Sequence, residues 1–408
     1  VTLSWVAASA IGALPFVISG EIPSYTDAFF ETISGFTTTG ASLLTDIEAM
    51  SPALLFWRSL THWLGGMGIV VLTVAILPIL GIGGMQLMRA ESPGPTLEKI
   101  SPKIAETAKI LWLIYLALTI IETALLMFGG MNLFDALTHT FGTLATGGFS
   151  PKAASVGHYN SAYIDIVITV FMVAAGLNFG LYFRALQGRF RDIWKNSEFI
   201  VYLSIFAITT LAIAVSLSGV YSNFGESLRY AGFQSATVLT TTGYATADYD
   251  LWPAFSKYVL FFLMFVGGCS GSTGGGIKVI RLVTLFKQAV NEMKYLFHPR
   301  GVSLVRINGE PVRKDFIYTV FGFVFLYLLS LLVTTAVVST GVYDLVTSFS
   351  SALVTVGNIG PGFARVGPTM NYAFYEPYIK WVLSLAMLVG RLEVYTVLVL
   401  FVPAFWRR

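Results

Sequence analysis

The chain has a single cysteine, Cys269, and four histidines, at positions 62, 139, 158 and 298, with no metal-ligand spacing among them. One thiol excludes a disulfide framework and a cysteine-based metal site, so we expect neither redox nor resident-metal chemistry. Charge is scarce as well. Asp, Glu, Lys and Arg supply only 12% of the 408 residues, against roughly 25% in soluble domains. No water-surrounded core explains that composition. Paired carboxylates and nucleophile–base constellations are also missing, which argues against an enzyme. The net charge of +3 says little by itself, and no nucleic-acid partner is expected.

What the chain has in excess is apolar length: 55% of its residues are hydrophobic and its mean hydropathy is +0.73. Runs able to cross a ~30 Å hydrocarbon layer recur throughout. They fall at roughly 1–19, 53–82, 109–129, 161–186, 198–219, 254–268, 316–340 and 378–404, eight expected spans in a lipid bilayer. The first lacks a basic leader and runs without a cleavage site into Ser24-Tyr25-Thr26-Asp27, so it reads as a span and not as a signal peptide. No initiator methionine is present, and further residues upstream are expected. Segments 83–110, 184–198, 278–315 and 405–408 hold 18 of the 25 Lys and Arg residues against 8 acids, whereas the alternate connections hold 11 acids against 3 bases. The positive-inside rule puts the first set in the cytoplasm, together with the C-terminus. The acidic outer face would concentrate cations.

Four related segments lie between pairs of spans on that acidic side, at 27–40, 135–147, 232–243 and 344–357. Each is an amphipathic stretch ending in a Thr- and Gly-rich tip, and the aligned terminal glycines are 107, 96 and 114 residues apart. About ten helical residues reach roughly 15 Å, enough to enter the bilayer but not to cross it, so the chain must turn back. Non-helical backbone at that depth is tolerated only where protein or a water-filled cavity satisfies it. Four such loops around one axis would provide the cavity, with glycines turning backbone carbonyls toward an ion to replace its hydration shell. The expected fold is therefore an all-α polytopic membrane protein of four span–pore-helix–span repeats around a pseudo-fourfold pore. We divide it at 1–82, 83–197, 198–297 and 298–408. The fourth tip, Thr355-Val356-Gly357-Asn358-Ile359-Gly360, differs from the Thr-Val-Gly-Tyr-Gly of potassium channels at two positions.

At these residues the chain resembles the Trk/Ktr/HKT superfamily of cation transporters, and within it the bacterial TrkH type. The likeness covers essentially the whole chain and includes the run from Trp57 to Gly68, Ser92-Pro93-Gly94-Pro95, and Glu106-Thr107-Ala108-Lys109. Members of that type usually carry two further N-terminal spans, which are not in this sequence. The resemblance implies that Thr38, Thr39 and Gly40, Ala145, Thr146 and Gly147, Thr241, Thr242 and Gly243, and Thr355, Val356 and Gly357 line the ion path through their backbone oxygens. Potassium would be the substrate, bound at this filter only, with no cofactor held by the chain. Plant relatives that prefer sodium have serine at the first-repeat glycine; Gly40 here favours potassium. The resemblance further implies a homodimer in the bacterial cytoplasmic (inner) membrane and a cytosolic regulatory subunit of the TrkA type that binds nucleotides.

The expected third-repeat second span is interrupted by Gly267, Gly268, Cys269, Ser270, Gly271, Ser272, Thr273, Gly274, Gly275 and Gly276, followed by Ile277 and Lys278. Six glycines in ten residues cannot hold a helix, at a penalty near 1 kcal/mol each relative to Ala. A flexible break just below the third loop could plug the path from the cytoplasmic side, and in the family this is the gating loop. The stretch from Gly271 to Lys278 only superficially resembles a phosphate-binding loop, which needs contiguous Gly-Lys-Ser/Thr after a soluble strand. Arg391 falls in the middle of the final span, where a charge is expensive. It either satisfies helix-end carbonyls or holds the gating loop from below. Glu393 should not pair with it. Glu122 and Asp165 read as interhelical hydrogen-bonding groups. The basic run from Lys278 to Lys314 reads as lipid-facing topology or as a docking surface for the regulatory subunit.

Two other functions stay open on the sequence. One is a sodium-permeable or sodium-coupled member of the same superfamily, which Gly40 disfavours. The other is a secondary transporter for an organic solute, which would need a second broken helix in an inverted repeat, whereas the sequence has four same-sense units and one break.

Overall fold

The computed structural model describes residues 2–68, 104–298 and 304–407. The expected linker at 83–103, with its Ser-Pro-Gly-Pro motif, and the far part of the second span lie outside the described residues. Helices dominate. The first quarter folds as α1 (Thr2–Gly12), α2 (Leu14–Ile18), α3 (Tyr25–Phe36) and α4 (Pro52–Trp63), the last running into a π-helical turn at Leu64–Gly68. The second holds α5 (Ile104–Phe128), α6 (Leu133–Leu144), α7 (Ala162–Ala175), α8 (Phe179–Leu186) and α9 (Phe190–Trp194). Next come α10 (Ser197–Ser216), α11 (Phe224–Leu239), α12 (Ala254–Leu263) and α13 (Val279–Phe297), and finally α14 (Lys314–Ser339), α15 (Leu345–Val356), α16 (Pro377–Arg391) and α17 (Val394–Leu398). A two-residue hairpin pairs Arg306–Ile307 with Glu310–Pro311 across an Asn308-Gly309 turn, both turn residues having positive φ.

Three helical segments, Ala108–Phe128, Ser197–Ser216 and Lys314–Ser339, are long and apolar enough to cross a bilayer. They leave large apolar side chains outside, among them Phe128, Ile208, Tyr318 and Phe325, as a lipid-facing surface requires. Four of the eight expected spans are not single helices. The first divides at Ala13, α7 and α8 meet at 96°, α16 meets the helix after it at 119°, and α12 stops after ten residues. Three of the four breaks have a local cause: Asn178 caps a new helix at Gly180 N, Glu393 takes φ +62°, and the glycine run follows α12.

The four short helices α3, α6, α11 and α15 share one construction. Each starts at a side chain that accepts from the backbone N–H three residues on: Ser24 from Asp27, Asn132 from Asp135, Asn223 from Glu226 and Asp344 from Thr347. Three have 12 residues and α11 has 16, so they run about 18–24 Å at 1.5 Å per residue. From its middle onward each is buried, including Ser34, Thr140, Ser235 and Ser351. Helix α16 packs on both α15 and α3, so the end of the chain closes against its beginning, and Lys380 Nζ meets Asp27 Oδ1 at 2.7 Å across that seam.

Candidate functional site

The C-terminal ends of the four short helices have the same backbone. Each finishes in a Schellman turn, in which the N–H of the second residue past the cap returns to the carbonyl five residues earlier. The pairs are Thr39 N to Ser34 O (2.9 Å), Gly147 N to Gly142 O (2.8 Å), Thr242 N to Thr237 O (2.8 Å) and Ile359 N to Val354 O (2.8 Å). The residue between cap and acceptor turn is left-handed in every case: Thr38 (φ +53°), Thr146 (+55°), Thr241 (+59°) and Asn358 (+55°). Two residues later comes a left-handed glycine: Gly40, Gly148, Gly243 and Gly360. Threonine is β-branched and pays about 1–3 kcal/mol for positive φ. Three threonines in that state at equivalent positions mark strain concentrated at one place.

The four tips close on one another. At Gly40 a Cβ would run into the carbonyl oxygen of Gly147, at Gly148 into that of Thr242, at Gly243 into that of Ile359, and at Gly360 into that of Thr39. The sequence of contacts is first to second, second to third, third to fourth, fourth to first. All four glycines line one cavity of about 140 Å³, shared with Ser42, Arg58, Ser150, Lys152 and Tyr372. Side chains vary on this common backbone. Thr37 and Thr39 hydroxyls pair at 2.8 Å, as do Thr240 and Thr242 at 2.7 Å, whereas Ala145/Gly147 and Gly357/Ile359 hold those places in the second and fourth tips.

The structure changes the register of two tips. Thr38, Thr39, Gly40, Thr241, Thr242 and Gly243 occupy the left-handed turn where the sequence alignment puts them. In the second tip the left-handed glycine is Gly148; Gly147 is the residue before it, packed against the His62 ring, and Ala145 is the helix cap. In the fourth, Thr355 and Val356 belong to the last turn of α15 and Gly357 is its cap, with right-handed φ −79°. The turn is made by Asn358, Ile359 and Gly360. Matching Thr-Val-Gly to potassium-channel letters set the alignment three residues early. Asparagine tolerates left-handed backbone better than any residue except glycine, which was the available signal. Asn358 is also tied down, its Nδ2 donating to Thr39 Oγ1 and Met387 O, both at 2.9 Å.

Beneath these helix ends runs the glycine-rich break. Its base is stapled: Gly267 N donates to Ile277 O (2.9 Å) and Val279 N to Gly268 O (3.2 Å). Glu198 Oε1 accepts from Ser270 N at 2.7 Å and Ile280 N at 3.0 Å, joining the two arms. Further along, Cys269 N donates to Gly176 O and Phe179 N to Gly271 O, so the bend between α7 and α8 supplies and receives backbone bonds. Thr273 Oγ1 lies 2.9 Å from Leu144 O and 3.2 Å from Ala175 O. Gly275 N donates to Thr241 Oγ1 at 2.7 Å, and no Cβ fits there because of Gly357 O and Asn358. The segment thus passes under the ends of α6, α11 and α15.

Arg391 completes the floor. It is the last residue of α16, at the 119° bend, and not in the middle of an unbroken span. Its guanidinium donates to Thr273 O (2.7 Å), Gly65 O (2.7 Å) and Gly66 O (2.8 Å), tying the break to the π-helical turn of the first repeat. Lys278 is buried and its ammonium donates to Gly274 O. Glu393 pairs with Arg281, whose guanidinium stacks 3.7 Å from the Phe323 ring centroid. Asp165 faces Arg229 at 3.5 Å. Glu122 of α5 is buried beside Thr143 of α6, whose hydroxyl donates to His139 O; among the described residues neither Glu122 carboxylate oxygen has a partner at hydrogen-bond geometry. Sequence reasoning missed Glu198 and Asn358, which look like ordinary polar residues near a helix end, and Glu31 and Arg58, which sit in the middle of α3 and α4. Among the described residues, no group of three or more His, Cys, Asp or Glu side chains could hold a metal ion.

The fold is that of an all-helical membrane transporter. The family model of TrkH, a cation transport protein, matches residues 1–209 and again 199–408, and the chain belongs to that family. It is 44% identical over 414 residues to the Trk system potassium uptake protein TrkH of Escherichia coli (strain K12), with all of this chain and 85% of that protein covered. To the TrkG protein of the same organism it is 35% identical, covering 84% of it. The crystal structure of the potassium transporter TrkH from Vibrio parahaemolyticus matches with a TM-score of 0.88 and 39% identity, covering all of this chain and 84% of that one.

Proposed function

We propose that this chain takes up potassium across the cytoplasmic membrane through a single gated pore, formed by four span–pore-helix–span repeats. The observation that carries the proposal is the closed ring of four left-handed glycines, each against the carbonyl oxygen of the next tip. Backbone oxygens in such a ring can replace the hydration shell of an alkali cation. The filter then comprises Thr37–Gly40, Ala145–Gly148, Thr240–Gly243 and Gly357–Gly360. Four helix C-termini end behind it, each with a partial negative charge of about half an electron, and their sum favours a cation. With no Cβ at any of the four positions, the tips pack at the same spacing, which supports potassium over sodium.

The glycine-rich break from Gly267 to Gly276 is the gate in this reading, with Arg391 and Lys278 holding it closed under the filter. The tips face outward and the C-terminus inward. A homodimer, and a cytosolic nucleotide-binding subunit docked on the basic run from Lys278 to Lys314, complete the assembly. Rubidium tracer uptake into liposomes containing the purified chain, driven by a potassium gradient, tests the central claim. Strong competition by external potassium but not by sodium or lithium is the expected result. Equal competition by all three would overturn the filter assignment.

A further inference from the structure

Nine residues before each ring glycine, every short helix carries a buried polar side chain: Glu31, His139, Gln234 and Ser351. The first three reach outward to the strand that leaves their own ring. Glu31 Oε1 accepts from Ser42 Oγ and its Oε2 from Leu43 N, both at 2.9 Å. His139 Nδ1 lies 2.7 Å from Asp135 O and so carries the proton; its Nε2 then accepts from Ser150 Oγ at 3.1 Å. Gln234 Nε2 donates to Ala247 O at 3.3 Å. Ser351 instead meets Tyr375 OH at 2.6 Å.

Only the first of these forms an ion pair among the described residues. Arg58 Nε sits 2.6 Å from Glu31 Oε1, its Nη1 donates to Ser150 O at 3.0 Å, and its guanidinium lies 3.6 Å from the Phe149 ring centroid. Both side chains are essentially closed to solvent, at 3% and 0% exposure. One ion pair therefore grips the strand two residues beyond Gly40 and the strand two residues beyond Gly148. Among the described residues no ion pair joins the second tip to the third, or the third to the fourth; those exits are tied by neutral bonds, from Tyr244 OH to Phe149 O at 3.3 Å and from Tyr249 OH to Gly362 O at 2.8 Å.

We infer that Glu31 and Arg58 are positioning residues that set ion discrimination by fixing the first and second tips against each other. The inference rests on the filter reading above. Its chemistry is direct: a charge-assisted bond is shorter and about twice as strong as a neutral one, and the groups it holds are a few covalent bonds from the ring. Loosening it lets Gly40 and the Gly147 carbonyl separate or approach, so a cation of another radius is accommodated. Loss of discrimination is the signature, since a pair that only supported folding would change protein yield and leave the ratio of ions unchanged.

The test is the same rubidium uptake assay on the full chain, comparing parent, Glu31→Gln, Arg58→Lys and Ser42→Ala for inhibition by potassium, sodium and lithium, with thermal stability in detergent followed in parallel. Glu31→Gln keeps the shape and one acceptor but removes the charge. Sodium inhibition should strengthen by about three- to tenfold relative to potassium, the equivalent of roughly 1 kcal/mol of lost discrimination. Arg58→Lys should shift it in the same direction. Ser42→Ala removes one tie without stranding a charge, and it decides the matter if the charge variants do not fold. A parent that discriminates while every folded variant keeps the parent's ion ratio overturns this inference and leaves the filter reading intact. A parent that fails to discriminate overturns the filter reading itself.

Discussion

Replacing Arg391 by alanine removes charged hydrogen bonds that include those to the Thr273, Gly65 and Gly66 carbonyls at 2.7–2.8 Å. The first of these holds the glycine-rich break; the other two anchor the guanidinium to the π-helical turn at Leu64–Gly68. A hydrogen bond to a charged group contributes about 1.5–3 kcal/mol. If that bond exists only in the closed arrangement, its loss raises the open-to-closed ratio by about ten- to a hundredfold. Removing the positive charge below four converging helix C-termini lowers the electrostatic barrier to cations and acts in the same direction. Rubidium uptake into liposomes without any partner subunit should therefore rise by about tenfold or more for Arg391→Ala. Arg391→Lys retains the charge but not the fork that reaches three carbonyls, and should give an intermediate flux. A folded Arg391→Ala protein with the parent's basal uptake would refute the reasoning, as would a lysine variant indistinguishable from alanine.

The register of the fourth tip predicts opposite tolerances a few residues apart. Gly360→Ala forces a Cβ onto the Thr39 carbonyl at φ +90° and should cut selective uptake by about tenfold or more, whereas Gly357→Ala keeps a right-handed φ of −79° and crowds only Leu353 O and the Ile359 side chain of its own segment, so it should cost less; reversed effects in tracer uptake would restore the earlier alignment. The N-terminal end of α15 supplies a pH prediction. Bonds from Thr347 N (2.9 Å) and the Thr347 hydroxyl hold the Asp344 carboxyl below its ordinary pKa of 3.8. The folded-state value is depressed, so the stabilisation is complete above pH 3.8 and lost as pH falls through the lower folded value. Asp344→Ala should lower stability by about 1 kcal/mol at neutral pH and flatten the acid limb of a melting-temperature profile; an acid limb identical to the parent's would count against the cap.

What could be read from the sequence was what depends on composition and periodicity. Apolar length and charge asymmetry were enough for an all-helical membrane protein. The glycine run announced its own break, because no helix survives six glycines in ten residues. Position along a strained turn was less legible. Val356 and Thr39 look equivalent in a one-dimensional alignment, and only the point at which helical hydrogen bonding stops separates them. That point depends on Asn358, whose left-handed conformation is stabilised by Thr39, 319 residues away. Glu198 was illegible for the same reason: it stands at the start of α10 in sequence, yet its acceptors' partners lie 72 and 82 residues downstream.

The stapled base of the break bears on how such a gate can move. Val266 and Ile277 are bridged, and Glu198 binds the arms on both sides, so the ends of α12 and α13 are held close whatever the tip does. The bonds that fix the tip are of another kind. Thr273 reaches two helix-end carbonyls, Gly275 N reaches one threonine hydroxyl, and Arg391 and Lys278 each donate to one carbonyl within it. To these are added the bonds of Phe179 N to Gly271 O and Cys269 N to Gly176 O. In the gating reading, a swing of the tip away from the four helix ends breaks these bonds while Glu198 keeps the ends of α12 and α13 together. Glu198→Ala should expose the part played by the base: with the two arms freed, basal rubidium uptake should rise and the further gain on Arg391→Ala should shrink. A Glu198→Ala chain whose basal flux and response to Arg391→Ala both match the parent's would show that the staple plays no part in gating.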